Sequence, residues 1–284
     1  MLLVRSHGRV LRSIRHNFCP TRFGSLTLAF PAPLEPGGWL KRIRSQIGTL
    51  DTLDALVYVH GYANSFDDAV KRTAELSYDI GFPGVLFTFD WASRNSLPAY
   101  VIDQETAERS VPDFKNFLRL IADSTKARRI VIVAHSMGTR LVSYALRDLV
   151  ASSALPRVGP IVLAASDIDS AIFVDQYAQP VAQSGNPVTL YASSRDRVIK
   201  LSGDVVHAAR RVGAGPPSLI LRDGLDYVDA SAIDTDLLGH GYFAENQVLV
   251  NDLYLIICHR FAAVSRNLEP VGDSAGRYYR PRGR

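Results

Sequence analysis

Apolar runs recur through the middle of the chain, and they are unbroken rather than alternating: Leu56–Val59, Val85–Phe89, Ile130–Ala134, Ile161–Ala165 and Val188–Ala192. A strand with one wet face alternates apolar and polar residues, whereas a strand covered on both faces does not. The pattern therefore predicts a buried parallel sheet. The intervening segments carry helical signals. Ser65 with Asp68 forms a capping box in which Asp replaces the usual Glu, and Pro112 suits a first helical turn. Val142, Ala145, Leu146 and Leu149 share one helical face. A further helix is expected over Asp169–Val181, with Ile172, Phe173 and Tyr177 on one side, and a last one over about Gln247–Ala262, with Val248, Leu255 and Ile256 at similar spacing. Strand–helix alternation with right-handed crossovers implies an α/β fold: a doubly wound, mostly parallel sheet with helices on both faces. Gly24–Phe30 can add an edge strand, and Pro31–Gly38 reads as a loop.

At 284 residues the chain suits one large domain. The formal charge of +4 resides in the ends. The first 22 residues hold five arginines and no acid, and residues 265–284 hold five arginines against Glu269 and Asp273. The expected organisation is a basic N-terminal extension (1–22), a single α/β domain (23–264) and a basic, flexible C-terminal tail (265–284). Charge confined to tails gives no reason to expect a nucleic-acid partner. Cys19 and Cys258 show neither a disulfide framework nor metal-ligand spacing. No apolar run reaches the roughly 18 residues of a membrane span, and Met1–Val4 is too short for a signal-peptide core. The expected location is cytoplasmic.

The stretch Ile130–Arg140 runs from an apolar strand through Ala134-His135-Ser136-Met137-Gly138 directly into a helical pattern. A serine in such a turn is lifted clear of the sheet edge as a nucleophile. The residues two before and two after it must be small, because strand and helix backbones meet there. Ala134 stands where Gly is usual, and it is still small. The turn aims the Met137 N–H, at the positive end of the helix, toward a developing oxyanion. A second strand ends in His60-Gly61-Tyr62, about 75 residues earlier, where such a fold places its other oxyanion donor. Tyr62 N–H is expected to be that donor, or Ala63 N–H if the loop turns one residue later. His60 reads as a brace for this loop.

A serine nucleophile needs a base, and the base needs an orienting carboxylate; in such a fold the chain order is serine, acid, histidine. Of the seven histidines, His240 alone follows Ser136 within a loop, Gly239-His240-Gly241, ahead of the last helix. It is the expected base. Asp196, just beyond the strand Val188–Ala192, is the expected acid, and Asp167 and Asp169 at the preceding strand end are the alternatives.

These pieces, with Phe89-Asp90-Trp91-Ala92-Ser93, Ala164-Ala165-Ser166-Asp167-Ile168-Asp169 and Gly239-His240-Gly241-Tyr242-Phe243, give a chain that resembles the α/β-hydrolase superfamily over about Ala55–Ala262. More narrowly it resembles a bacterial esterase- or lipase-like branch, domain of unknown function 900. The resemblance implies a triad of Ser136, Asp196 and His240, pocket walls at Trp91 and Ser93, and no large cap domain. It implies a cofactor-free, metal-free serine hydrolase acting on a small-molecule or lipid-like acyl substrate. Acyl transfer or amide cleavage with the same triad, and a non-catalytic binding protein of the same fold, are the alternative functions.

Overall fold

A computed structural model describes residues 2–5, 11–13, 54–125, 127–217, 219–233, 246–273 and 276–282. Ten strands form one sheet: β1 Leu2–Arg5, β2 Leu11–Ser13, β3 Ala55–Val59, β4 Val85–Asp90, β5 Ile130–His135, β6 Val158–Ala164, β7 Val188–Ala192, β8 Asp226–Asp229, β9 Leu268–Asp273 and β10 Gly276–Pro281. Their spatial order is β2-β1-β4-β3-β5-β6-β7-β8-β10-β9. Every neighbouring pair is parallel except the outermost two, β1/β2 and β9/β10. This is the α/β architecture expected from the unbroken apolar runs.

Each face of the sheet has its own core, which is why alternation is missing from the strands. On one face Val57, Ile132 and Leu163 pack with Phe114, Phe117, Leu141 and Leu146. Those side chains come from helices α3 (Val111–Ser124) and α4 (Met137–Ala151). On the other face Leu56, Val131 and Val133 pack with Val70 and Leu76 of α1 (Phe66–Asp79), and with Leu249, Leu253 and Ile256 of the helix Gln247–Ile257. Fully burying each such side chain contributes roughly 1.5–3 kcal/mol. Helix α1 opens with the Ser65–Asp68 capping box, and α3 carries Pro112 in its first turn. A further helix, α2 (Tyr100–Arg109), lies between β4 and α3.

The chain passes from β3 outward to β4, then returns across β3 to lay down β5 on its other side. Connections leaving β3 and β5 at their carboxyl ends therefore diverge, and a crevice opens between them. Between β6 and β7 only a helical run intervenes: Ser170–Ile172, a π-helical stretch Phe173–Tyr177, and Ala178–Ser184. It buries Phe173, Tyr177, Ala178 and Val181, so it covers the sheet, and no large cap stands between the strands flanking it. Ile172, expected on the same side, is exposed instead; at about 100° per residue it falls well off the face that Phe173 and Tyr177 share. The last helix ends at Ile257, five residues short of expectation, and its buried stripe runs through Leu249, Leu253 and Ile256 rather than Val248 and Leu255. The strand expected at Gly24–Phe30 lies outside the described residues. No helix among those described is long and apolar enough to cross a membrane.

The C-terminal segment departs most from expectation. Residues 268–273 and 276–281, within the segment read as a flexible tail, form the antiparallel pair β9/β10, and β10 joins the sheet beside β8. The anchor is Arg266, whose side chain is fully buried. It donates to Thr189 Oγ1 and Asp252 Oδ2, each at 3.3 Å, and to Asp226 Oδ2 at 3.4 Å. Burial pushes both carboxyls above their ordinary range, and the guanidinium works against that shift. Removing it would leave the buried Asp252 and the half-buried Asp226 carboxylates without their cation. Arg266→Ala is expected to destabilise the protein by about 3–5 kcal/mol in urea unfolding, whereas Arg277→Ala, at an exposed position of the same hairpin, should stay within about 0.5 kcal/mol.

Candidate active site

Ser136 sits between β5 and α4 with φ +51° and ψ −124°, a region that L side chains rarely adopt and that costs about 1–3 kcal/mol. The surroundings hold it there. Its N–H donates to Ala164 O of the adjacent strand (2.9 Å), and its carbonyl accepts from Thr139 N–H (3.0 Å) and Thr139 Oγ1 (2.6 Å). Gly138 faces the end of β3 so closely that a Cβ would stand 2.4 Å from His60 O and 2.8 Å from Val59 O. Ala134, the other position that must be small, is fully buried. Met137 begins the helix, so its N–H has no carbonyl four residues back in that helix to bond, and the helix dipole makes that end positive.

The loop after β3 lies directly against the serine, since a Cβ on Gly61 would come within 2.8 Å of Ser136 Cβ. His60 braces it from below. Its Nδ1 is 2.7 Å from Gly61 O, Nε2 lies 3.1 Å from Asp90 Oδ1, and its ring stacks on Trp91 at 5.1 Å. Trp91 is not a pocket wall as expected. It is fully buried and donates its indole N–H to His60 O at 2.8 Å. Ser93 donates to Asp103 at 2.6 Å, which makes it part of the loop's support. Tyr62 is half-buried with its ring edge-on to Tyr100. Burial, then the nearby carboxylates of Asp167 and Asp103, raise its phenol pKa.

The three candidate acids sit in different settings. Asp196, fully buried beyond β7, caps the helix Arg197–Leu201 by accepting from Ile199 N–H at 2.9 Å. Asp167 is also buried, and its carboxylate accepts from Tyr100 Oη and from Ser202 Oγ (2.5 Å), with Arg211 Nε 3.6 Å away. Asp169 caps the helical run at Ser170 through Ile172 N–H (2.9 Å). His240 lies outside the described residues. It belongs to the connection that leaves β8 at Asp229, on the carboxyl edge of the sheet, and enters the helix at Gln247.

A family profile described as an α/β hydrolase of unknown function, DUF900, matches residues 40–260. The chain belongs to this α/β-hydrolase family. No curated protein matches it. Among solved structures it is similar to an esterase from Pyrococcus furiosus (14% identity, TM-score 0.42, covering 74% of this chain and 82% of that one). It is also similar to a lipase-esterase related protein from Clostridium acetobutylicum (12%, 0.42, 74% and 95%) and to carboxyl esterase 2 from Tuber melanosporum (12%, 0.42, 73% and 77%).

Sequence reasoning missed four residues that hold the loops beside the serine or the Asp167 carboxylate: Asn64, Tyr100, Asp103 and Ser202. Asn64 carries a usable signal, since a short amide just after a tight loop tends to bond back to it. The others are polar residues in helical segments, and nothing local separates them from solvated ones. The contact at Gly138 gives a direct test of the turn. Gly138→Ala must push β3 and α4 apart and is expected to cost about 1–3 kcal/mol, as overpacking does, in a urea melt.

Proposed function

We propose that this protein is a serine hydrolase that cleaves an ester or related acyl bond through an acyl-enzyme. The observation that carries the reading is the positive φ of Ser136, at a strand–helix turn with Gly61 pressed against its Cβ. That strain has no use in a plain helix start, where any N-cap conformation would serve.

In this reading His240 accepts the Ser136 proton as the hydroxyl oxygen attacks the acyl carbon. The Tyr62 and Met137 N–H groups stabilise the tetrahedral oxyanion. His240 then passes its proton to the leaving group, and water releases the acyl chain by the same steps in reverse roles. Asp196 orients the imidazole. It is preferred to Asp167 because Tyr100, Ser202 and Arg211 already surround the Asp167 carboxylate, and to Asp169 because Asp196 lies just beyond β7, the strand next in order toward β8. Ser136→Ala is expected to abolish p-nitrophenyl ester turnover and fluorophosphonate labelling without unfolding the protein. His240→Ala should match that loss, and Asp196→Asn should lose as much or somewhat less. Labelling that persists in folded Ser136→Ala would overturn the proposal, and a neutral Asp196→Asn beside a damaging Asp167→Asn would move the acid to β6.

The substrate class follows from access. The helical run between β6 and β7 is committed to covering the sheet and does not double as a broad mobile cap, which in this reading leaves access to Ser136 to the loop at Tyr62, the segment Trp91–Tyr100 and the connection after β8. Soluble short- and medium-chain esters are the expected substrates, with no jump in rate as they pass into emulsion. A steep rise on long-chain triglyceride droplets, with little turnover of dissolved esters, would show that one of these loops is a lid.

A further inference from the structure

The Tyr62 N–H can serve the proposed chemistry only while its loop keeps one conformation, and that conformation is not intrinsically favoured. Ala63, the next residue, has φ +51°, a left-handed value that suits glycine better than alanine. The peptide joining Tyr62 and Ala63 is gripped at both ends. Asn64 Nδ2 donates to its carbonyl, Tyr62 O, at 2.8 Å. Its N–H points at Asp103 Oδ2, 3.5 Å away. The peptide before it is gripped through Gly61 O, by His60 Nδ1 at 2.7 Å and by Asn64 Nδ2 at 3.4 Å. A trans peptide is planar, with C=O and N–H pointing opposite ways. Holding Gly61 O therefore fixes where the Tyr62 N–H of the same peptide points, and the Ala63 conformation places the Asn64 amide that helps to hold that carbonyl.

Of these grips, only Asp103 comes from outside the loop and its own strand end. It lies in the first turn of α2 and is fully buried. Besides Ala63 it collects Ser93 Oγ on Oδ2 (2.6 Å) and Arg94 N–H on Oδ1 (2.9 Å). One buried carboxylate thus joins the loop after β3 to the loop after β4, and those strands are neighbours in the sheet. Tyr100, one turn earlier on the same helix, meets the Tyr62 ring edge-on at 5.2 Å.

We infer that Asp103 is a positioning residue that holds Ala63 in its left-handed conformation, and with it the Asn64 amide on Gly61 O, and so keeps the Tyr62 N–H aimed at the oxyanion. This rests on the serine-hydrolase reading. Without the carboxylate, Ala63 loses the contact that holds its left-handed backbone, the Asn64 amide leaves Gly61 O, and the Gly61–Tyr62 peptide can rotate.

The test compares wild-type protein with Asp103→Ala, Asp103→Asn and Ser136→Ala on a p-nitrophenyl ester and on its thionoester analogue. Sulfur accepts hydrogen bonds poorly, so a misaimed N–H slows the oxygen ester more than the thionoester. For Asp103→Ala, kcat on the oxygen ester should fall roughly 10- to 100-fold, with KM changed less than about twofold and a smaller fall on the thionoester. Asp103→Asn keeps one acceptor oxygen and should fall between Asp103→Ala and wild type. It also decides the matter alone if thermal melting shows that Asp103→Ala does not fold. Equal losses on the two esters, a raised KM with kcat intact, or wild-type kcat in a folded variant would overturn the inference while leaving the reading standing. Turnover that survives in Ser136→Ala would overturn the reading itself, and the inference with it.

Discussion

The carbonyl oxygens of Val59 and His60 occupy the space where residue 138 would carry a side chain, and the rest of the site follows from that contact. Only a glycine lets the first turn of α4 come so near the end of β3. Because β3 and β5 are paired, with Val59 opposite Ala134, the same approach brings the loop after β3 over the residue after β5. The serine between strand and helix must then take an unfavourable φ to complete the turn. Bonds from Ala164, Thr139 and the neighbouring strand hold it there, as a rigid sheet can and an exposed loop cannot.

Beneath this turn lies a polar layer inside an otherwise apolar molecule. Asp90 faces His60, Asp103 collects Ser93, Arg94 and Ala63, and Asp167 collects Tyr100 and Ser202. Burying carboxylates is costly unless each finds donors, and the donors gathered on Asp103 and Asp167 tie the loops to helix α2. Helix α2 matters because Tyr100 and Asp103, three residues apart on one face, serve two of these sets. The Tyr100 phenol is pushed well above its ordinary range by burial and then by the Asp167 charge beside it, so it stays protonated and continues to donate.

How much of this could be read from the sequence depended on whether a feature is local. The central strands were legible because both faces are covered and the residues say so. The strand Asp226–Asp229 was not, since Asp-Tyr-Val-Asp has no apolar run; its neighbours supply the burial. The hairpin at the end was misread because arginine, glycine and proline normally mark solvated chain, and nothing in the sequence shows that Arg266 meets the carboxylates of Asp252 and Asp226. The sharp turn at Ser136 was legible from the strand, the small residues and the helix in a row. Trp91 was placed at the right loop with the wrong role, because an indole lining a pocket and one bracing a histidine have the same hydrophobicity. Asp103 was invisible because its partners lie on two other segments.

The hairpin also settles how the sheet ends. Without it, β8 would present a free row of backbone donors and acceptors, an open template for another chain and so a route to aggregation. β10 occupies that row, and the margin is passed outward to β9. There Pro270 has no N–H to offer and the exposed Glu269 brings charge, while Gly272, at φ +98°, bends the strand near its tip. Among the described residues β9 is the outermost strand on this side and a poor surface for further pairing, so an arginine-rich segment that looks like solvated tail closes this margin of the sheet against another chain.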